Sequence, residues 1–144
     1  MNRQFSLAGL LRLRQMQQDQ AATGLARARS HSDSVRAREV SARRDLSDAS
    51  GDVDTSQALH AIAAARFSSF RMLSDLQSLT ADAQSAEDAA REEFTAARTR
   101  SVGLEKLQTR HDAEVLSADL RAEQAALDEI ASTVWHRDEQ QVTT

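Results

Sequence analysis

Ser47-Asp48-Ala49-Ser50-Gly51-Asp52-Val53-Asp54-Thr55-Ser56 is the one strong interruption in a chain that otherwise reads as helix. Its small polar residues and glycine supply turn chemistry and compete with a helix for backbone hydrogen bonds. Asp54, Thr55 or Ser56 is suited to cap a following helix. On either side the chain contains no proline, the residue that breaks a helix interior at a cost of about 3 kcal/mol or more. Ala, Leu, Arg, Glu and Gln dominate, and all are good helix formers. The stretch therefore predicts an all-α fold, a long antiparallel two-helix coiled-coil hairpin whose second helix is longer than the first. The expected bounds are helix over about 5–46, turn over 47–56, helix over about 57–137 and a frayed tail over 138–144, in a single domain of 144 residues.

Upstream of the turn, alternating steps of four and three trace Leu7, Leu11, Arg14, Gln18, Ala21, Leu25, Ala28, Ser32, Val35, Glu39, Ala42 and Leu46. Eight of these twelve are apolar, and the steps average the coiled-coil period. The seam is wet, so this helix needs a partner. Downstream, the apolar positions include Leu59, Ile62, Phe67, Phe70, Leu73, Leu76, Leu79, Ala83, Ala86, Ala90, Phe94 and Ala97, then Leu104 and Leu107. The last stretch has the cleanest stripe: Leu116, Leu120, Glu123, Leu127, Ile130 and Val134. With aromatics at 3% of the chain, a narrow seam of small and aliphatic residues fits better than a globular core.

Charge favours the same pairing. Residues 1–46 carry nine Arg and four acidic residues, whereas 47–95 carry three Arg and nine acidic residues. A basic helix folded onto an acidic one selects register and partner more than it adds stability, because exposed pairs are worth only tenths of a kcal/mol. A tight bend at Gly51 would pair residues 5–46 with roughly 57–98 and leave everything after about residue 99 overhanging. An exposed apolar seam there would mark a partner site. The alternative is a break at Ser101-Val102-Gly103, with 104–137 folding back as a third helix. One glycine costs only about 1 kcal/mol against alanine, so the continuous helix is the expectation.

Catalytic chemistry finds no footing. There is no cysteine, which excludes disulfides and thiolate metal sites. His31, His60, His111 and His136 form no H-E-x-x-H motif, and no Glu precedes a His by three residues. His111 and Glu114 share a helix face, a pairing that reads as surface decoration. There is no phosphate-binding glycine loop and no G-x-S-x-G. No enzyme activity, cofactor, metal or small-molecule ligand is expected. The arginines of the first helix are not interleaved with aromatics, so nucleic acid is not expected either. No signal peptide or membrane span is recognisable, which points to the cytoplasm.

The two ends of the chain carry a resemblance. Phe5-Ser6-Leu7-Ala8-Gly9-Leu10-Leu11-Arg12-Leu13-Arg14 is similar to the opening of the flagellar export protein FliJ family. Leu104-Glu105-Lys106-Leu107, Arg110, Arg121, Glu123, Gln124, Leu127, Asp128, Glu129, Ile130 and Ala131 resemble that family's C-terminal helix. The resemblance implies a stalk-like coiled coil similar to the gamma subunit of rotary ATPases. Such a stalk would bind the hexameric export ATPase FliI and promote its ring assembly. Implied partners also include the ATPase regulator FliH, the export gate protein FlhA and export chaperones. The implied place is the cytoplasmic face of the inner membrane, reached only through partner proteins.

On that resemblance the ATPase-facing candidates are Phe5, Leu7, Leu10, Leu11, Arg14, Leu104, Lys106, Leu107, Arg110, Arg121, Glu123, Gln124, Leu127 and Asp128, joined by Leu116, Leu120 and Ile130 of the distal stripe. Phe67, Phe70 and Leu73 fall where the family contacts the export gate, with seam packing the competing reading for the two phenylalanines. The family often has Tyr or Trp there, and this chain has neither. Two other functions compete: a self-associating structural scaffold, and the equivalent stalk of a virulence secretion system.

Overall fold

The structure is a computed structural model that describes residues 4–49 and 54–142, with side chains through residue 137. Two helices pack against each other, α1 over Ala8–Asp48 and the longer α2 over Ser56–Val142. Gly51, the expected centre of the turn, lies outside the described residues.

The flanks of the connection show the expected chemistry. The Ala58 amide donates to Thr55 Oγ1 at 3.2 Å, so Thr55 is the N-cap of α2. At the other end, Arg66 Nη2 donates to the Ala49 carbonyl at 3.3 Å. Helix C-termini leave carbonyls unpaired and favour a nearby cation, and here α2 supplies that cation to the end of α1. Arg66→Ala is expected to cost about 0.5–1 kcal/mol. The loss should appear as faster amide exchange in the last turn of α1, with unchanged exchange around Leu25; equal acceleration at both places would contradict the capping role.

Contacts divide the chain into two units, Gln15–Thr99 and Met1–Arg14 with Arg100–Thr144. In the Gln15–Thr99 unit the α1 seam follows the predicted stepping closely. Leu25, Ser32, Val35 and Ala42 are buried, and Gln18, Ala21, Ala28, Glu39 and Leu46 are half-buried. The facing side of α2 is Ser69, Leu73, Leu76, Thr80, Ala83, Glu87, Ala90, Phe94 and Ala97, all buried or half-buried and again in steps of four and three. Across the seam Arg36 Nη2 donates to Gln84 Oε1 at 2.8 Å, and Arg29 Nε lies 3.6 Å from Glu87 Oε1. Thr80 tolerates the seam because its hydroxyl donates to the Leu76 carbonyl at 2.9 Å. Leu59, Phe67, Phe70, Leu79 and Ala86 lie outside the seam and are exposed. Seam packing of the two phenylalanines is thereby overturned.

In the other unit Leu11 and Ser101 are buried, and Arg14, Leu104, Gln108, His111 and Val115 are half-buried. The Phe5 ring packs on His111 with centroids 5.6 Å apart and planes tilted by 53°. The expected register is corrected here, since Phe5 faces His111 and not a residue near 98. The reason is visible at the connection. Ala49 is level with Arg66, ten residues into α2, so the first turns of α2 run on past the end of α1, whereas a tight bend would begin the pairing at the start of α2. The helix continues unbroken through Gly103, where an added Cβ would meet nothing within 4 Å. Among the described residues no third helix folds back. The helix also continues to Val142, into the expected tail, where Asp138-Glu139-Gln140-Gln141 contains no residue that stops a helix.

Candidate functional site

From Leu120 to Arg137 every side chain of α2 is exposed. Within this segment and just before it, Leu116, Leu120, Leu127, Ile130 and Val134 are 50–62% exposed and share one helix face. Glu123 occupies the one polar place in the stripe, and Trp135 stands beside it at 66% exposure. Exposed large apolar residues scattered singly are ordinary, whereas a contiguous row is the mark of an interaction surface. The segment holds its helix with local pairs. Gln124 Nε2 donates to Asp128 Oδ1 at 2.9 Å, and Arg110 Nε donates to Glu114 Oε1 at 3.1 Å. Glu114 is thus paired with Arg110, while His111 turns to Phe5.

The remaining candidates divide by location. Leu11 and Leu104 are in the seam, and Phe5 is half-buried against His111, so these three side chains hold the unit together. Arg14 is half-buried. Leu7, Leu10 and Leu107 are 38%, 39% and 48% exposed, and Lys106, Arg110, Arg121, Glu123, Gln124 and Asp128 are exposed. Leu13 and Met16, 48% and 54% exposed, extend the apolar surface of α1 beyond the candidates named from sequence. In the Gln15–Thr99 unit, Phe67 and Phe70 are 66% and 59% exposed, three residues apart on one face, while Leu73 is half-buried in the seam. These phenylalanines are uncovered because they lie off the α2 seam, which passes through Ser69 and Leu73.

Sequence reasoning passed over Glu87, a seam residue only 9% exposed. Its signal was phase: continuing the four–three steps from Leu73 and Leu76 reaches residue 87, whereas choosing by apolarity alone selects Ala86. Among the described residues, no group of three or more His, Asp or Glu side chains could hold a metal ion. No described helix is long and apolar enough to cross a membrane.

Two packed helices, the second longer than the first, define an all-α coiled-coil protein. The family model described as Flagellar FliJ protein matches residues 3–140. The chain belongs to that family, and is therefore a non-enzymatic component of flagellar type III protein export. Comparison with curated proteins and with solved structures gave no significant match.

Proposed function

We propose that the distal stripe of α2 is the docking face for the hexameric export ATPase FliI, and that the chain promotes assembly and activity of its ring as a stalk. The observation that supports this reading is the exposed row Leu116, Leu120, Leu127, Ile130 and Val134 on the distal stretch of α2, where every side chain from Leu120 to Arg137 is exposed. A helix presenting apolar side chains at such spacing docks into an apolar groove. Asp119, Glu123, Asp128 and Glu129 accompany the stripe, so the receiving groove carries lysine or arginine at its edge. In this reading Phe67 and Phe70 meet the export gate protein FlhA. FliH and the export chaperones complete the set of partners at the cytoplasmic face of the inner membrane.

Trp135 is the only tryptophan and lies beside the stripe. Titrating a tryptophan-free form of the ATPase into this protein is expected to shift Trp135 emission to the blue, to protect it from acrylamide quenching, and to raise ATP hydrolysis. Unchanged emission and activity at micromolar ATPase would remove the reading. A concentration-dependent dimer with Trp135 already protected would replace it with the self-associating scaffold.

A further inference from the structure

The seam of the Gln15–Thr99 unit contains a carboxylate that packing alone does not call for. Glu87, 9% exposed, sits in the seam between Ala83 and Ala90. Its Oε1 accepts from Arg91 Nη2 of the same helix at 2.8 Å and lies 3.6 Å from Arg29 Nε of α1. Desolvating a carboxylate offsets most of what such pairs contribute, and an apolar residue is often as stable or more so. Polar residues at coiled-coil core positions are best attested as devices that select register. We propose that Glu87 locks the register of α1 against α2, with Ala28 and Ser32 leaving room for it and Arg29 as its counter-charge.

Alanine layers discriminate poorly between registers. Ala21, Ala28 and Ala42 on α1, and Ala83, Ala90 and Ala97 on α2, would stack nearly as well after a slip of one heptad, about 10 Å. Glu87 does not tolerate that slip in either direction. Counting three heptads along both helices from Ala49, level with Arg66, places Ala28 opposite Glu87. One slip brings Val35 to the place of Ala28, Arg36 to that of Arg29 and Glu39 to that of Ser32. The cation is replaced, but a β-branched side chain crowds the carboxylate and a second carboxylate enters the same stretch of seam. The opposite slip brings Ala21, Ala22 and Leu25, and Glu87 then has no cation from α1. A seam carboxylate held only by Arg91 of its own helix recovers less of its desolvation penalty. Ser32 is consistent with a residue selected for size: it is 1% exposed and its Oγ has no hydrogen-bond partner.

The absence of cysteine allows register to be read by disulfide trapping without background. Three double variants report three registers: Ser32→Cys with Ala83→Cys for the observed one, and Ser32→Cys with Ala90→Cys or with Leu76→Cys for the two slips. With Glu87 present, the observed pair is expected to cross-link at least about tenfold faster than either slipped pair. Glu87→Ala should keep the helix content and raise the Ala90→Cys cross-link about tenfold relative to the observed pair. Glu87→Gln should raise it less, and exchanging the charges as Arg29→Glu with Glu87→Arg should restore the single register. Slipped pairs that trap equally well with Glu87 in place would overturn the lock. So would a single register persisting in both Glu87→Ala and Glu87→Gln. Should Glu87→Ala lose its helices, Glu87→Gln and the charge exchange decide the matter alone.

Discussion

Replacing Leu120 and Leu127 together by Asp is expected to weaken binding to the export ATPase by about a hundredfold or more while leaving the fold intact. Each leucine buried in a receiving groove contributes about 1.5–3 kcal/mol, and two such losses exceed the roughly 2.7 kcal/mol that a hundredfold represents. Stability should not follow, because Leu120 and Leu127 are 57% and 61% exposed. Substitutions at exposed sites with no structural partner stay within about 0.5 kcal/mol. Isothermal titration with the ATPase and thermal melting by circular dichroism give the two halves of the result. Unfolding of the double variant would make the distal stripe internal core. Unaltered affinity would move the docking face elsewhere, with Leu10, Leu13 and Leu107 the next surface to test.

The opposite outcome is expected at Val35. This side chain is 2% exposed, in the α1 seam. Val35→Asp places an uncompensated carboxylate in the seam and removes the packing of two methyl groups. A buried charge without a partner costs about 3–5 kcal/mol. For a chain of this length that corresponds to a fall in melting temperature on the order of 10 °C, with loss of helix signal in the Gln15–Thr99 unit. The pairing of a wet seam has little stability in reserve, since Gln18, Ser32, Glu39, Thr80 and Glu87 all occupy places where a stronger coiled coil would carry leucine. A melt unchanged by Val35→Asp would mean that the two helices do not depend on each other.

These contrasting substitutions describe a division of labour. Alanines, a valine and the leucines Leu11, Leu25, Leu46, Leu73, Leu76 and Leu104 close the seam, where they hold one helix on the other. The larger apolar side chains, Leu116, Leu120, Leu127, Ile130, Trp135, Phe67 and Phe70, are turned outward. In the proposed docking role, the largest apolar groups lie where partners can reach them, and the fold is held with less.

Much of this was legible in the residues themselves. The absence of proline and the polar stretch 47–56 define two helices. Four–three stepping along α1 names a seam that is buried or half-buried from Leu11 to Leu46. The distal stripe is equally plain, because periodicity is a local property: side chains four and three residues apart share a face in any α-helix. The register, the true seam of α2 and the pairing of Phe5 with His111 were decided only by tertiary structure. Apolar residues on α2 outnumber the seam, so that Leu59, Phe67 and Leu79 compete with Thr80, Glu87 and Ser101 for the inner face. Which set turns inward depends on where α1 lies, and that depends on how far α2 runs past the end of α1 before pairing begins. A helix's periodicity is written within a few turns of its own chain. Its alignment with another helix is a joint property of two surfaces, in which size, charge and the length of the connection are satisfied together.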